Sequence, residues 1–396
     1  METKSTQQLQ LWTDADLALR INKVVANMKC SGLDAVLISD NANIFYLTGR
    51  IVCGYIYIDT SCTIRYFVRR PNNLHDDKLV YIRKPEDIAD ILGEDMPKNI
   101  GLEISLLPYS TIERLKKVFA GATIGDASDV MRRSRAVKTP TEIELIAQSG
   151  IKHARAYSQI PSLYREGMTD LDLQIEIERT LRLEGCLGLF RMIGADMEFF
   201  MSNTLTGDNS DTPTPYDFAL GGAGMHPSLP LGANGTIIKP NMPVMVDANG
   251  NFNGYMTDMT RCFCVGKPHD KALYANDLSR EISTAIADKA RPGVATADLY
   301  RLACDMAEKA GMADYLMGHN YHAGFVGHGL GISINESPVL APRSRDILEA
   351  GNAIAVEPKF VIPGIGAVGV ENTFIVEAEG SARKLTLASE EIINLI

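Results

Sequence analysis

"VMVDANGNFNGYMTDMTR" (Val244–Arg261) holds two aspartates, Asp247 and Asp258, eleven positions apart in apolar, strand-like surroundings. A carboxylate is costly to bury unless a cation or hydrogen bonds compensate it. The fold and the function both turn on what compensates these two.

Working outward, the flanking runs "FALGGAG", "PVMVDANG" and "GYMTDMTRCFCVG" all read as strands. The terminal stretch "AIAVEPKFVIPGIGAVGVENTFIVEAEG" reads as further strands joined by Gly/Pro turns. A weak internal repeat spans this part of the chain. "REGMTDLDLQ" (165–174) and "RPGVATADLY" (291–300) superpose at an offset of 126, and Gly185 and Gly311 keep that offset. Shared helix punctuation by chance is one explanation. The other is a domain of two similar α+β halves whose strands converge on a central site.

Upstream, "DADLALRINKVVANMKCSGLD" has helical spacing and ends at Gly32, and "AVLISD" reads as a buried strand. "IFYLTG", "GYIYID" and "TIRYFV" are expected to be strands, and "PYSTIERLKKVFA" a short helix. Thr139-Pro140 opens a long amphipathic helix, with Glu142 and Glu144 near its positive end. The boundary is therefore placed at 137: an α/β amino-terminal domain over 1–137 and an α+β domain over 138–396.

A chain of 396 residues suits two domains. With 39 basic and 49 acidic residues its formal charge is −10, which argues against a nucleic-acid partner. The start lacks the basic-then-apolar pattern of a secretory signal. No apolar run of about 18 residues suggests a membrane span. Seven scattered cysteines, without a CxxC pair, make a disulfide framework or thiolate zinc site a weak reading. A reduced, cytoplasmic protein is expected.

Three more groups sit in similar apolar runs: His328 in "GHGLG", Glu357 in "AVEPKF" and Glu371 in "GVENTFIV". Four converging carboxylates carry about −4, which two divalent cations would balance. Oxygen-rich ligands with one imidazole suit manganese, cobalt, iron or zinc.

With these flanks the chain resembles the pita-bread metallopeptidase family of Xaa-Pro dipeptidase, aminopeptidase P and creatinase relatives. "DNANIFYLTG" resembles their creatinase-like amino-terminal domain, and "RAVKTPTEIELI" the entry to their catalytic domain. The resemblance implies a pita-bread catalytic domain with a pseudo-twofold repeat. It implies two metal ions, manganese or cobalt before zinc or iron, held by Asp247, Asp258, His328, Glu357 and Glu371. Asp258 and Glu371 would bridge both ions, and Glu357 would also take the proton of the attacking water. His226 in "GGAGMHPSLPLG" resembles a histidine that contacts substrate; the plainer reading is a surface loop. Thr260 would support a ligand carboxylate, or is an ordinary strand threonine. His319 and His322 are read as substrate-rim or structural residues. A homodimer is expected from relatives that carry this amino-terminal domain.

Several positions depart from the family pattern. Asn335 stands where a second histidine steadies the tetrahedral intermediate; it can donate to an oxyanion but cannot relay a proton. Val339 and Gly369 replace arginines, Asn372 an aspartate, and Lys359 follows "EP" where glycine is frequent. The expected activity is metal-dependent hydrolysis of short peptides of the Xaa-Pro type. The alternatives are a metal-dependent hydrolase or lyase acting on a small non-peptide substrate, creatinase-like or sulfonium lyase-like, and a non-catalytic peptide-binding member.

Overall fold

The computed structural model describes residues 7–194, 197, 200–216 and 218–395. The chain divides into two compact units, Met1–Arg135 and Ala136–Ile396.

In the first unit a six-stranded mixed sheet runs in the order Leu79–Tyr81, Ile64–Arg70, Cys53–Asp59, Ala35–Ile38, Asn99–Leu102, Thr123–Asp126. The Thr13 hydroxyl accepts from the Asp16 N–H and so starts helix Asp14–Cys30. That helix buries Leu17, Ile21, Val24, Val25 and Met28 along one stripe.

"IFYLTG" is not a strand. It lies in helix Asn41–Thr48, where the Asp40 carboxylate accepts from the N–H groups of Ala42 and Asn43. Gly49 closes the helix at φ 75°. Six of its eight residues are buried, so it shows no polar face, and its aromatic and branched side chains imitate a strand.

The second unit is built in two halves. One sheet has the order Ile393–Asn394, Met256–Cys264, Pro243–Asn251, Ser202–Thr206. The other runs Glu336–Leu340, Gly327–Gly329, Ala353–Val356, Asn372–Ile375, Arg383–Lys384, beside the hairpin of Lys359–Ile362 and Gly366–Gly369. Helices Pro140–Tyr157 and Asp170–Leu183 serve the first half; Asp270–Lys289 and Thr296–Lys309 serve the second. Thr139 opens the longest of the first pair with a capping box to Glu142.

The internal repeat has a structural counterpart. Adding 126 to the bounds of helix Asp170–Leu183 gives those of Thr296–Lys309. The matched glycines also share a conformation: Gly167 and Gly293 lie at φ 86° and 89°, and Gly185 and Gly311 at 97° and 67°. By contrast, "FALGGAG" forms no strand; Gly222 and Gly224 adopt positive φ there and the segment runs as a loop.

Strand alternation decides which way the opening stretch faces. Val244, Val246 and Ala248 pack with Leu173, Ile177 and Tyr157 against the helices of the first half. Asp247 and Asn249 therefore point to the opposite face, towards the second half.

Candidate metal centre

The hairpin Pro243–Asn251/Met256–Cys264 pairs Asp247 with Thr260 and Asn249 with Asp258. Directly paired residues share a face, so both aspartates and Thr260 are presented together. Asn251 Oδ1 accepts from the Gly254 N–H, and Gly254 turns the chain at φ 95°. In the second half Val356 pairs with Asn372. Glu357 and Glu371 are the next residues outward on those two strands and so stand side by side. His328 comes from the short strand between Glu336–Leu340 and Ala353–Val356, beside a β-bulge.

All five predicted groups converge on the wall of one cavity of about 320 Å³. His328 Nε2 lies 3.3 Å from Glu357 Oε1 and 3.8 Å from Asp258 Oδ2. Its Nδ1 is 3.1 Å from the Gly329 carbonyl, a contact in which Nδ1–H donates and which turns Nε2 towards the carboxylates. Thr260 Oγ1 donates to Glu371 Oε2 at 2.8 Å, whereas Glu371 Oε1 is buried without a hydrogen-bond partner. Two groups of three could hold an ion: Asp258, His328 and Glu371, and Asp247, Glu357 and Glu371.

The first group fits a divalent cation. It brings together the His328 ring nitrogen that faces the carboxylates and the buried Glu371 Oε1, which has no hydrogen-bond partner. The second does not fit in the same way, because a side chain overlooked as a site residue fills it. Lys359 Nζ donates to Asp247 Oδ2 at 2.8 Å, Glu357 Oε2 at 2.7 Å and Glu371 Oε2 at 3.1 Å.

Burial and mutual repulsion shape the electrostatics. Burial first, then Glu371 and Asp247, pushes Asp258 well above the usual carboxylate range. Burial and then Glu357 raise Glu371 to about 8. Burial would raise Glu357 too, but the Lys359 ammonium and then His328 outweigh it and bring Glu357 to about 2. Burial opposes the charge on Lys359, yet Asp247, Glu357 and Glu371 more than offset it and raise its value. His328 is likewise raised by Glu357 against the effect of burial.

The remaining predicted residues divide. Asn335 does line the cavity, but its Oδ1 accepts from the Ile193 N–H and its Nδ2 donates to the Ile193 carbonyl, both at 2.7 Å. It clamps the segment at Ile193. His226 does not line the cavity; it is exposed in a turn where its Nδ1 accepts from the Ser228 N–H. That is the position of the surface-loop reading. His322 is also exposed, with Nδ1 held 2.8 Å from the Leu316 carbonyl, and His319 stacks edge-on to Tyr315.

Arg261 is a group the sequence reading passed over. Fully buried, it donates through Nη1 to the carbonyls of Thr260 and Glu371 and through Nη2 to Asn372 Oδ1. It fixes the backbone that presents Glu371. The available signal was a charged residue in the largely apolar strand pattern "MTRCFC"; for Lys359 it was a lysine two residues from Glu357, at the strand spacing that shares a face.

A cage of four carboxylates and one imidazole, set between two similar α+β halves, defines the class of metal-dependent hydrolases with the pita-bread fold. The chain matches Metallopeptidase family M24 over residues 144–378 and the Creatinase/Prolidase N-terminal domain over residues 20–137. It belongs to metallopeptidase family M24. It is similar to the Xaa-Pro dipeptidase of Pyrococcus horikoshii, 26% identical over 94% of this chain and 98% of that one. The Xaa-Pro dipeptidase of Lactobacillus helveticus is 24% identical over 91% and 95%. Among solved structures, an Xaa-Pro dipeptidase from Bacillus anthracis superposes with a TM-score of 0.79 at 23% identity, over 96% of this chain and 99% of that one. The family and the two-domain fold expected from the sequence are borne out.

Proposed function

We propose that this chain is a metal-dependent hydrolase that cleaves an amide bond in a short peptide of the Xaa-Pro type. The observation that carries the reading is the convergence of Asp247, Asp258, His328, Glu357 and Glu371 on one cavity wall. The cavity suits a substrate of one or two residues, and its apolar lining, with Phe200, Phe218 and Phe325, suits a ring such as proline. A divalent ion held by Asp258, His328 and Glu371 supplies Lewis acidity to the groups it touches. Glu357 is ionised, accepts the proton of the attacking water and returns it to the leaving nitrogen.

Manganese or cobalt is the proposed ion, from the oxygen-rich donor set with one imidazole. The working unit is proposed to be a homodimer in the cytoplasm. Support for the reducing compartment comes from the seven cysteines, all free. Among the described residues no helix is long and apolar enough to cross a membrane.

A second reading is favoured by one observation. Among the described residues that line the cavity there is no arginine or lysine to receive a dipeptide carboxylate, and the Asn335 amide is engaged with Ile193. A small non-peptide amide without a terminal carboxylate fits that wall. The test is a panel of Xaa-Pro dipeptides and small cyclic and acyclic amides, assayed with added manganese or cobalt. Dipeptide turnover supports the first reading, and turnover of the uncharged amides alone selects the second. Glu357→Gln is expected to lower turnover by about 10²–10⁴-fold with an unchanged circular dichroism spectrum. Full activity in that variant would remove Glu357 as the proton acceptor.

A further inference from the structure

Lys359 is fully buried, although its ammonium carries a charge that an apolar strand does not tolerate alone. An ammonium has three N–H donors and no acceptor. All three are taken, by one oxygen each of Asp247, Glu357 and Glu371, at 2.7–3.1 Å. Those are the residues of the second group that could hold an ion. We propose that the Lys359 ammonium is the resident cation of this half of the site, so that the chain holds a single divalent ion, on the His328 side. The inference rests on the metal-dependent reading above and changes the number of ions it uses.

Three independent features support it. The first is exclusion. A divalent ion needs carboxylate oxygens at about 2.0–2.2 Å, and these three oxygens are set around a nitrogen at hydrogen-bond distance. An ion among them would also lie within a few ångströms of the ammonium, in a buried setting that screens the repulsion poorly.

The second is the way Glu371 divides its oxygens. Oε2 is satisfied by Thr260 and Lys359, whereas Oε1 is buried and has no partner. His328 Nε2, 3.8 Å from Asp258 Oδ2 and 3.3 Å from Glu357 Oε1, is the other donor atom of the group formed by Asp258, His328 and Glu371. The unmet demand for positive charge is thus confined to the half that holds no lysine.

The third feature is the room made for the lysine. Gly369 pairs with Lys359 across the hairpin at φ 152°. A Cβ there would lie 2.9 Å from Lys359 Cα and 3.3 Å from Lys359 Cγ. Glycine at 369 and lysine at 359 therefore form one arrangement, in which the missing side chain admits the lysine stem. Two departures from the family pattern reduce to a single substitution of charge.

A consequence follows for the chemistry. One ammonium and one divalent ion supply +3 against four carboxylates, where two ions would supply +4. Lys359 also holds Glu357 as a carboxylate with reduced proton affinity. The site is less activating than a two-ion centre.

The test is metal content, which does not depend on knowing the substrate. Purified protein is loaded with manganese, desalted and measured by plasma mass spectrometry and Mn(II) electron paramagnetic resonance. The wild type is expected to hold one manganese per chain with the spectrum of an isolated ion. Lys359→Ala is expected to hold two, with an exchange-coupled spectrum. Two ions in the wild type, none after loading, or one in a folded Lys359→Ala variant would each overturn the proposal. Should the alanine variant fail to fold, anomalous diffraction at the manganese edge from wild-type crystals decides it. A single peak beside His328 supports the assignment; a peak among Asp247, Glu357 and Glu371 refutes it. Loss of peptidase activity in the substrate panel leaves these counts unaffected, so the two readings fail separately.

Discussion

Thr260 shows how much of the site depends on residues that never touch an ion. Its hydroxyl is one of two donors to Glu371 Oε2, inside a wall from which water is excluded. Thr260→Val keeps the shape and leaves that oxygen to Lys359 alone. We expect a stability loss of about 1–2 kcal/mol in urea denaturation and manganese binding weakened about 10–100-fold in calorimetry. An unchanged affinity would show that the threonine is an ordinary strand residue. At this scale the five acidic and imidazole groups were legible, because each stands in an apolar run that cannot bury it unaided. Arg261 belongs to the same logic but was passed over, and Lys359 was noted only as a departure from the family pattern. A lysine or arginine is ordinarily solvated through its long stem, and only the fold reveals that these two are enclosed. For His226 the motif fixes residue types but not the direction of a glycine loop, so its exposed position was not legible.

At the scale of elements, hairpin Lys359–Ile362/Gly366–Gly369 delivers the lysine, and its register leaves Gly369 no freedom to gain a side chain. Gly369→Ala places a methyl 2.9 Å from both Lys359 Cα and the Pro358 carbonyl, in a backbone conformation that alanine resists. We expect destabilisation of about 1–3 kcal/mol, read as a lowered thermal midpoint. Unchanged stability would mean that the hairpin adjusts freely and does not position the lysine. The strands carrying the acidic groups were legible from apolar patterning, and helix Pro140–Tyr157 from its Thr-Pro start and Glu142. Asn41–Thr48 was not, because a helix buried on nearly every side loses the polar face by which a period of 3.6 is recognised. The segment 218–224 failed for a related reason. Its apolar residues line a cavity, whereas the pattern was read as the interior of a sheet.

For the molecule as a whole, the 126-residue offset was the most informative long-range feature, and it was legible only in its punctuation. The glycines and the helix starts survive in both halves, while the residues between them have diverged to carry aspartates in one half and histidine and glutamates in the other. Behind the first half lies a group with no part in the chemistry. His153 on helix Pro140–Tyr157 is fully buried, with Nδ1 3.0 Å from Thr257 Oγ1, Nε2 without a partner, and its ring edge-on to Tyr157. Burial, then the nearby Arg261, lowers its pKa from 6.5 to about 3. The folded state thus refuses a proton that the unfolded chain accepts below pH 6.5. The contribution to stability is complete above pH 6.5 and is lost as the pH falls towards 3, up to an upper bound of about 5 kcal/mol. His153→Gln keeps the size of the side chain and removes the titration. Urea midpoints measured from pH 7.5 to 4 should fall more steeply for the wild type than for the variant, by about one proton or 1.4 kcal/mol per pH unit below 6. Parallel curves would show that His153 is protonated in the native state, and acid sensitivity would then have to be sought elsewhere in the unit.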